Sequence, residues 1–112
     1  MIRYRTEMEP ADAANCHDGL GVLHLHTVLD GTEGTAARFM HDDILEPGVT
    51  IGEHLHDSSS EIYFVVEGQG IMILDGEQKP ISAGDVSWCT PGHSHGIINS
   101  SNQKMRLLVV GF

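Results

Sequence analysis

Two histidines and a glutamate lie within eight residues of one another near the middle of the chain. His54 and His56 are separated by one residue on a segment that reads as a β-strand, so their side chains project from the same face. Glu61 follows the polar run 57–60, whose Asp and Ser side chains favour a chain reversal. It opens a second strand that returns antiparallel to the first and faces the two histidines. Converging imidazole and carboxylate groups indicate a metal site.

A fourth ligand is expected further along the chain. Pro91 and Gly92 predict a turn that leads into another strand, and His95 lies at the start of that strand. A single histidine in a strand is usually structural or exposed, so none of these residues is informative alone. Their combination at fixed offsets, with glycines at the turns, is what predicts a metal site.

The two segments together resemble the paired motifs of the cupin family. The first motif is matched completely, with five residues after the first glycine, four before the glutamate and six before the last glycine: Gly48, His54, His56, Glu61 and Gly68. The second is matched at Gly84, Gly92, His95 and Asn99, although Thr90 occupies the usual proline position and Pro91 follows it. The resemblance extends over about residues 39–112. It implies an all-β, double-stranded β-helix (jelly-roll) barrel in which His54, His56, Glu61 and His95 bind metal.

This ligand set leaves positions open on an octahedral ion. It suits one divalent transition ion per chain, which is Fe, Mn, Ni, Co, Cu or Zn, and does not choose among them. Two classes of function follow. One is an enzyme acting on a small chelating or mostly uncharged metabolite, either an oxygenase or an isomerase or lyase working through a metal-bound enediolate. The alternative is a non-catalytic module that binds metal or a small ligand. No lysine or arginine lies near either motif, which disfavours a phosphorylated ligand.

Candidate catalytic residues are Tyr63, His41 and His93, since each could assist a proton transfer. The expected pocket is mostly apolar, with walls formed by Phe39, Tyr63, Val65, Met72, Leu74, Trp88 and Ile97.

The remaining histidines and the two cysteines have no assigned chemical role. His17 is interpreted as a loop residue. His24 and His26 alternate with leucines on a predicted strand, so they face solvent or a dimer seam and their role stays open. Cys16 and Cys89 are interpreted as free thiols.

Short segments broken by Gly, Asp, Pro and Asn predict the strands that must position these residues. The predicted strands are 22–29, 37–45, 50–54, 62–67, 70–74, 79–81, 86–89, 95–99 and 105–112. Asp75 and Gly76 predict a tight hairpin, because this pair supplies the positive φ angles of a type I′ turn. The composition of residues 6–17 predicts a short helix.

The 112-residue chain is expected to form one barrel over 37–112, preceded by an N-terminal segment, 1–36, with a strand that can join a dimer. It carries 16 acidic against 6 basic residues, which argues against nucleic acid and anionic membranes. No apolar run is long enough to span a membrane, and we expect a cytoplasmic protein. The strands 62–66 and 107–110 are apolar on both faces, and their outward faces, which include Ile62, Phe64 and Val66, predict a homodimer.

Overall fold

The computed structural model describes residues 1–112, which form ten strands and two single-turn 3₁₀ helices, Arg5–Glu7 and Cys16–Asp18. The strands are β1 (Pro10–Ala14), β2 (Val22–Leu29), β3 (Phe39–Leu45), β4 (Thr50–Leu55), β5 (Glu61–Glu67), β6 (Gln69–Leu74), β7 (Glu77–Ser82), β8 (Val86–Cys89), β9 (Ser94–Ile98) and β10 (Met105–Gly111). Every predicted strand is present, and β2 and β8 have the predicted bounds.

The strands form two antiparallel sheets. A six-stranded sheet has the order β1-β2-β3-β10-β5-β8, and a four-stranded sheet has the order β4-β9-β6-β7. Apolar side chains from both sheets, including Val65 and Leu107 from the first and Ile51 and Ile97 from the second, share one buried core. The predicted all-β double-stranded β-helix is therefore confirmed.

The hairpin prediction at residues 75 and 76 is also confirmed. Asp75 and Gly76 have φ angles of 49° and 80°. They join β6 to β7 with Leu74 opposite Glu77. Two consecutive positive φ angles give this turn the twist that matches the strands on either side.

The predicted helix over 6–17 is wrong. This segment contains strand β1 between the two 3₁₀ turns, and β1 pairs with β2 from Pro10, opposite His26, to Ala14, opposite Val22. Helix propensity is a weak preference, and pairing with a neighbouring strand overrides it here. The segment extends the larger sheet as an edge strand, because β2 in turn pairs with β3. The participation of this strand in a dimer stays a prediction.

The strands that carry the first motif are not hydrogen-bonded to each other. β4 pairs with β9, whereas β5 pairs with β10 and β8 in the opposite sheet. Glu61 therefore approaches the histidines across the barrel interior. This arrangement differs from a shared hairpin, and it encloses the carboxylate between the two sheets.

A β-bulge in β4 sets the direction of the two histidines. The pairing of β4 with β9 is regular at Ile51 and resumes at His54, with an irregularity between them. In a regular strand these two residues would point to opposite faces, but a bulge reverses the alternation. Ile51 is consequently in the core while His54 also points inward.

Neither 3₁₀ helix has the length or apolar character needed to cross a membrane.

Candidate metal centre

Four side chains converge inside the barrel. Three of them lie on strands, and the fourth, His56, follows the end of β4. The candidate ligand atoms of His54, His56, Glu61 and His95 all lie within 4.8 Å of one another. Nε2 of His95 is 3.0 Å from Oε1 of Glu61 and 3.0 Å from Nε2 of His56. Oε1 of Glu61 is 3.5 Å from Nε2 of His56 and 3.8 Å from Nε2 of His54. The structure therefore brings together all four residues predicted from the motifs.

Backbone pairing holds the histidines in place. His54 lies opposite His95 in the β4–β9 ladder. Beyond the ladder, the His56 N–H donates to the His93 carbonyl at 2.9 Å, and the Gly92 N–H donates to the His56 carbonyl at 2.7 Å. Gly92 has a φ of 88°, which permits the turn that sends His95 back into the barrel. The turn and the ligand-bearing strand are thus fixed to each other by main-chain hydrogen bonds.

Hydrogen bonds on the outer nitrogens orient two of the rings. Nδ1 of His54 is 2.8 Å from the Gly52 carbonyl, which can only accept, so Nδ1 carries the proton and Nε2 carries a lone pair. Nδ1 of His56 is 2.9 Å from the Ser59 hydroxyl. Such contacts are typical of histidines that bind metals. Nε2 of His54 is buried and has no hydrogen-bond partner within the protein.

The donor set fits a divalent transition ion. Ligands at about 2.1 Å from an ion lie about 3.0 Å apart when their bonds are at right angles. Both 3.0 Å separations around His95 match this value. The Nε2 atom of His54, which has no partner in the protein, supplies a further lone pair within the same cluster. A bound ion would give these crowded acceptor atoms a common partner.

The charges of the cluster also suit metal binding. Burial raises the pKa of Glu61, but its interactions with the neighbouring imidazoles of His54, His95 and His56 outweigh this effect and hold the pKa at about 2. Burial lowers the pKa of His56. For His54, burial acts in the same direction, but the nearby carboxylate of Glu61 and the hydrogen bond to the Gly52 carbonyl leave the pKa above its usual value. An ionised carboxylate and neutral imidazoles are the forms that bind metals.

His17, interpreted from the sequence as a loop residue, contacts the cluster directly. It lies in the 3₁₀ turn Cys16–Asp18, and its ring stacks on that of His54 with centroids 3.6 Å apart and planes inclined by 11°. A Cβ atom at Gly52 would collide with the His17 carbonyl oxygen. Gly52 therefore allows the turn to pack against β4, and a glycine inside a strand was the only sequence signal for this contact.

The three candidate catalytic residues lie in different environments. Tyr63 is buried, with its ring centroid 4.5 Å from that of His95, and burial raises its pKa well above the usual value. His41 is half-buried beside Phe39, and burial lowers its pKa. His93 is exposed, and its Nδ1 is 2.7 Å from Asp75. The structure does not bring His93 into the cluster.

A cavity of about 230 Å³ adjoins the cluster and shares Glu61 with it. Its lining is mostly apolar, as predicted, and is formed by Ala13, Cys16, His17, Leu23, Leu25, Phe39, His41, Asp43, Ile51, Glu61, Tyr63 and Val109. Phe39 and Tyr63 are predicted wall residues. The predictions for Val65, Met72 and Ile97 are wrong because these residues belong to the core, and Leu74 packs against that core outside this cavity.

The prediction that Trp88 borders this pocket is wrong. Its side chain is 65% exposed, and it lies opposite Ile62 in the β5–β8 ladder. Directly paired residues project from the same face of a sheet. Since Ile62 alternates with the inward-facing Glu61 and Tyr63, Trp88 is on the outer face with it.

Asp43 is a cavity residue that the sequence motifs do not indicate. It lies on β3, is 2% exposed, and its Oδ1 has no hydrogen-bond partner. Burial raises its pKa to about 7, and the nearby charges of Asp42 and Glu61 add to the effect. A buried polar group without a partner costs about 1–3 kcal/mol of stability. Its position in a mostly apolar wall without a hydrogen-bond partner therefore needs an explanation.

The other histidines and the cysteines follow their predicted positions. Nδ1 of His24 is 2.7 Å from Asp12, and Nδ1 of His26 is 3.0 Å from Arg5, while the adjacent Leu23 points into the core. Both cysteines are free thiols. Asn99, the last residue of the second motif, is buried and donates to the carbonyls of Leu45 and Gln103 at 2.8 Å. It is a structural residue.

Comparison with known proteins agrees with this geometry. A family model described as Cupin domain matches residues 42–111. The chain is 32% identical over 111 residues to the oxalate-binding protein of Thermotoga maritima, a match covering 98% of this chain and 92% of that protein. A crystal structure of a predicted oxalate decarboxylase from Thermotoga maritima superposes with a TM-score of 0.92 at 31% identity, covering 100% of this chain and 98% of the other.

The same fold occurs in proteins with other names. A sugar phosphate isomerase of the cupin superfamily from Silicibacter pomeroyi superposes with a TM-score of 0.77 at 22% identity, covering 95% of this chain and 71% of the other. The polyketide cyclase RemF from Streptomyces resistomycificus gives a TM-score of 0.75, also at 22% identity, covering 99% of this chain and 78% of the other. At this level of identity the likeness concerns the fold alone.

Proposed function

Because the chain belongs to the cupin family, we propose that it binds one divalent transition ion through His54, His56, Glu61 and His95, and that the ion binds a small chelating carboxylate. The observation that carries this proposal is the convergence of three imidazoles and one carboxylate, with a buried lone pair on His54 that no protein group satisfies. Such a set leaves positions on the ion for an external ligand.

The surroundings of the cluster support a small carboxylate as that ligand. No lysine or arginine lines the adjoining cavity, so the ion would be the main positive charge available to an anion. The similar protein from Thermotoga maritima is an oxalate-binding protein, and the match with it extends over 98% of this chain. Oxalate is therefore the first ligand to test. A bound ion supplies Lewis acidity toward such a ligand.

The residues around the cluster have separable roles in this proposal. The Gly52 carbonyl and the Ser59 hydroxyl orient the two β4 imidazoles. His17 covers the outer side of His54 and keeps that ring in place. Tyr63 keeps its proton because burial raises its pKa, so it can donate a hydrogen bond but does not act as a base near neutral pH.

Catalytic conversion of the ligand is the second candidate function, either by oxygenation or by isomerase or lyase chemistry. The observation that favours it is His41, whose half-buried imidazole lines the cavity beside Glu61. An imidazole in this position can exchange a proton with a bound ligand near neutral pH. Oxygen consumption with an iron-loaded or manganese-loaded protein would indicate oxygenation, whereas turnover with redox-inert zinc would indicate isomerase or lyase chemistry.

Elemental analysis joined to calorimetry tests the proposal. We expect about one equivalent of a divalent transition metal in the wild-type protein and oxalate binding that disappears after chelation of the metal. The His56→Ala variant should lose both properties. His24→Ala is the matched control, since His24 binds Asp12 at the surface and should leave both unchanged. A folded wild-type protein that takes up no metal when supplied with one would refute the proposal.

A further inference from the structure

The unpartnered carboxyl group of Asp43 lies in the wall of the cavity next to the candidate metal centre. The side chain is on β3, is 2% exposed, and its Oδ1 makes no hydrogen bond within the protein. The same cavity is lined by Glu61, so a ligand held at the cluster could extend toward Asp43. An acceptor atom buried in such a wall is available to that ligand.

The adjacent residue on β3, Asp42, is a carboxylate with a structural role, and its contacts differ from those of Asp43. Asp42 points to the opposite face of β3, and its Oδ1 accepts a hydrogen bond from Nε of Arg106 at 2.9 Å. Its Oδ2 accepts from Arg106 and from Arg5, each at 2.8 Å. Asp43 has no such cation, because no lysine or arginine lines the cavity. Nothing in the protein satisfies its Oδ1, so stabilisation of the fold does not account for it.

The size and polarity of the cavity limit the ligand. Its volume of about 230 Å³ corresponds to roughly eight water molecules at about 30 Å³ each. This is below the roughly 300 Å³ of pockets that bind drug-sized molecules. Apolar side chains form most of the wall, so a small metabolite with one polar group beyond its chelating end fits best.

A neutral hydroxyl is the polar group that Asp43 suits. The unpartnered Oδ1 of Asp43 can accept a hydrogen bond, and burial, which raises the pKa of the carboxyl, favours the protonated form that can also donate one. A phosphate or a further carboxylate at this point would face an acidic wall without a compensating cation. A hydroxyl adds no charge and satisfies the free oxygen.

We propose that Asp43 is a specificity-determining residue that hydrogen-bonds a hydroxyl group of a small α-hydroxy acid, whose other end chelates the ion at the histidine cluster. This inference rests on the proposed metal-dependent binding of a carboxylate. It names the ligand class as α-hydroxy acids with a second hydroxyl, and it assigns their recognition to Asp43. It also explains why an unpartnered carboxyl group lies in a mostly apolar wall.

Calorimetric titration of the manganese-loaded protein with both enantiomers of lactate and glycerate tests the proposal. Glycerate differs from lactate only by a hydroxyl at the non-chelating end. We expect the wild-type protein to bind one enantiomer of glycerate about tenfold more tightly than the matching lactate, and Asp43→Leu to remove this preference. Asp42→Asn is the matched control and should keep it, because Asp42 faces away from the cavity. An unchanged preference in Asp43→Leu would overturn the proposal.

Thermal unfolding of the metal-free protein gives an independent readout. Leucine has the same branched shape as aspartate, its extra volume can enter the adjoining cavity, and it removes the unpartnered polar group, so Asp43→Leu should raise the unfolding midpoint by about 4 °C or more. A lowered midpoint would show that Asp43 serves the fold, which contradicts the proposal.

Titration with oxalate distinguishes a failure of the role proposed for Asp43 from a failure of the proposed metal-dependent binding. A wild-type protein that binds oxalate, yet binds glycerate and lactate equally, would defeat the role of Asp43 and leave the proposed function intact. Failure to bind oxalate, glycerate and lactate alike would defeat both.

Discussion

At the scale of single residues, Asp42 and Asp43 show how the environment of an aspartate differs between the two faces of β3. Hydrogen bonds from Arg106 and Arg5 lower the pKa of Asp42, whereas burial raises that of Asp43 to about 7. One carboxylate stabilises the outer surface of the sheet, and the other lies unpaired next to a cavity. Adjacent positions thus serve stability and ligand binding separately.

The contributions of Asp42 and Asp43 to the stability of the protein should change with pH in opposite directions. The folded protein holds the Asp43 proton up to about pH 7, but the unfolded chain releases it near 3.8, so stability conferred by the protonated group falls as the pH rises between these values. We expect Asp43→Asn to remove this decline, which is on the order of 3–4 kcal/mol. Urea unfolding of the metal-free protein between pH 4 and pH 8 measures it.

Asp42→Asn is the control of opposite sign. The pKa of Asp42 is lowered, so its contribution is present above its unfolded pKa of 3.8 and is lost as the pH falls below that value. The variant should be about 1–2 kcal/mol less stable than wild type at pH 7, since both arginines are partly exposed. Parallel pH profiles for the two variants would contradict the opposite pKa shifts of Asp42 and Asp43.

The pH dependence of metal retention should come from the histidines and not from Glu61. The carboxylate stays ionised down to about pH 2, whereas imidazoles must be neutral to bind. We therefore expect metal release as the pH falls below about 6. Elemental analysis after dialysis at stepped pH values checks this, and full occupancy at pH 4 would argue against the ligand set.

At the scale of elements, the 3₁₀ turn Cys16–Asp18 closes the outer side of the cluster. The Leu20 N–H donates to the Thr50 hydroxyl at 2.8 Å, and the Thr50 N–H donates to the Leu20 carbonyl at 2.9 Å. These bonds hold the turn against β4, where Gly52 leaves room for the His17 carbonyl. The position of the His17 ring over His54 therefore depends on main-chain packing.

Substitution of Gly52 by alanine should displace this turn. The added Cβ would meet the His17 carbonyl, and we expect a loss of about 1–3 kcal/mol in the free energy of unfolding together with weaker metal binding. Gly34→Ala is the control, because a Cβ there meets no atom within 4 Å and only its positive φ is strained. His17→Ala should weaken metal binding while changing stability less than Gly52→Ala. Chemical unfolding and metal titration check both effects.

At the scale of the whole molecule, the outer face of the larger sheet carries an apolar patch. Trp88 is 65% exposed, Val86 50% and Phe64 41%. They are contiguous because the β5–β8 ladder pairs Phe64 with Val86 and Ile62 with Trp88. An exposed apolar patch on a small domain is typical of an interface. The placement of Trp88 outside the pocket thus supports the prediction of a homodimer.

Oligomeric state tests this prediction. We expect the wild-type protein to show twice the 12.2 kDa chain mass by light scattering at micromolar concentration, and Phe64→Glu to give monomer or aggregate because a charge would be buried in the interface. Leu55→Glu is the control, since Leu55 is 61% exposed on β4, which belongs to the other sheet. A wild-type mass equal to one chain would rule out the dimer.

The fold class and the four candidate ligands could be predicted from the sequence. Ligand spacing, strand alternation and turn chemistry are local properties, so His54, His56, Glu61 and His95 could be assigned before any pairing of strands was known. The Asp75–Gly76 hairpin was predictable for the same reason, since its φ angles depend on those two residues.

The residues from distant parts of the chain that surround the cluster are determined by tertiary packing. The contact of His17 with His54 depends on the packing of a turn against a strand that lies far away in sequence. The inward direction of Asp43 and the outward direction of Trp88 follow from which strands are neighbours and in what register. The strand β1 was missed because its pairing with β2 overrides the helix propensity of its residues. Local patterns contain no information about such pairings, since they arise from contacts between segments that the chain brings together only on folding.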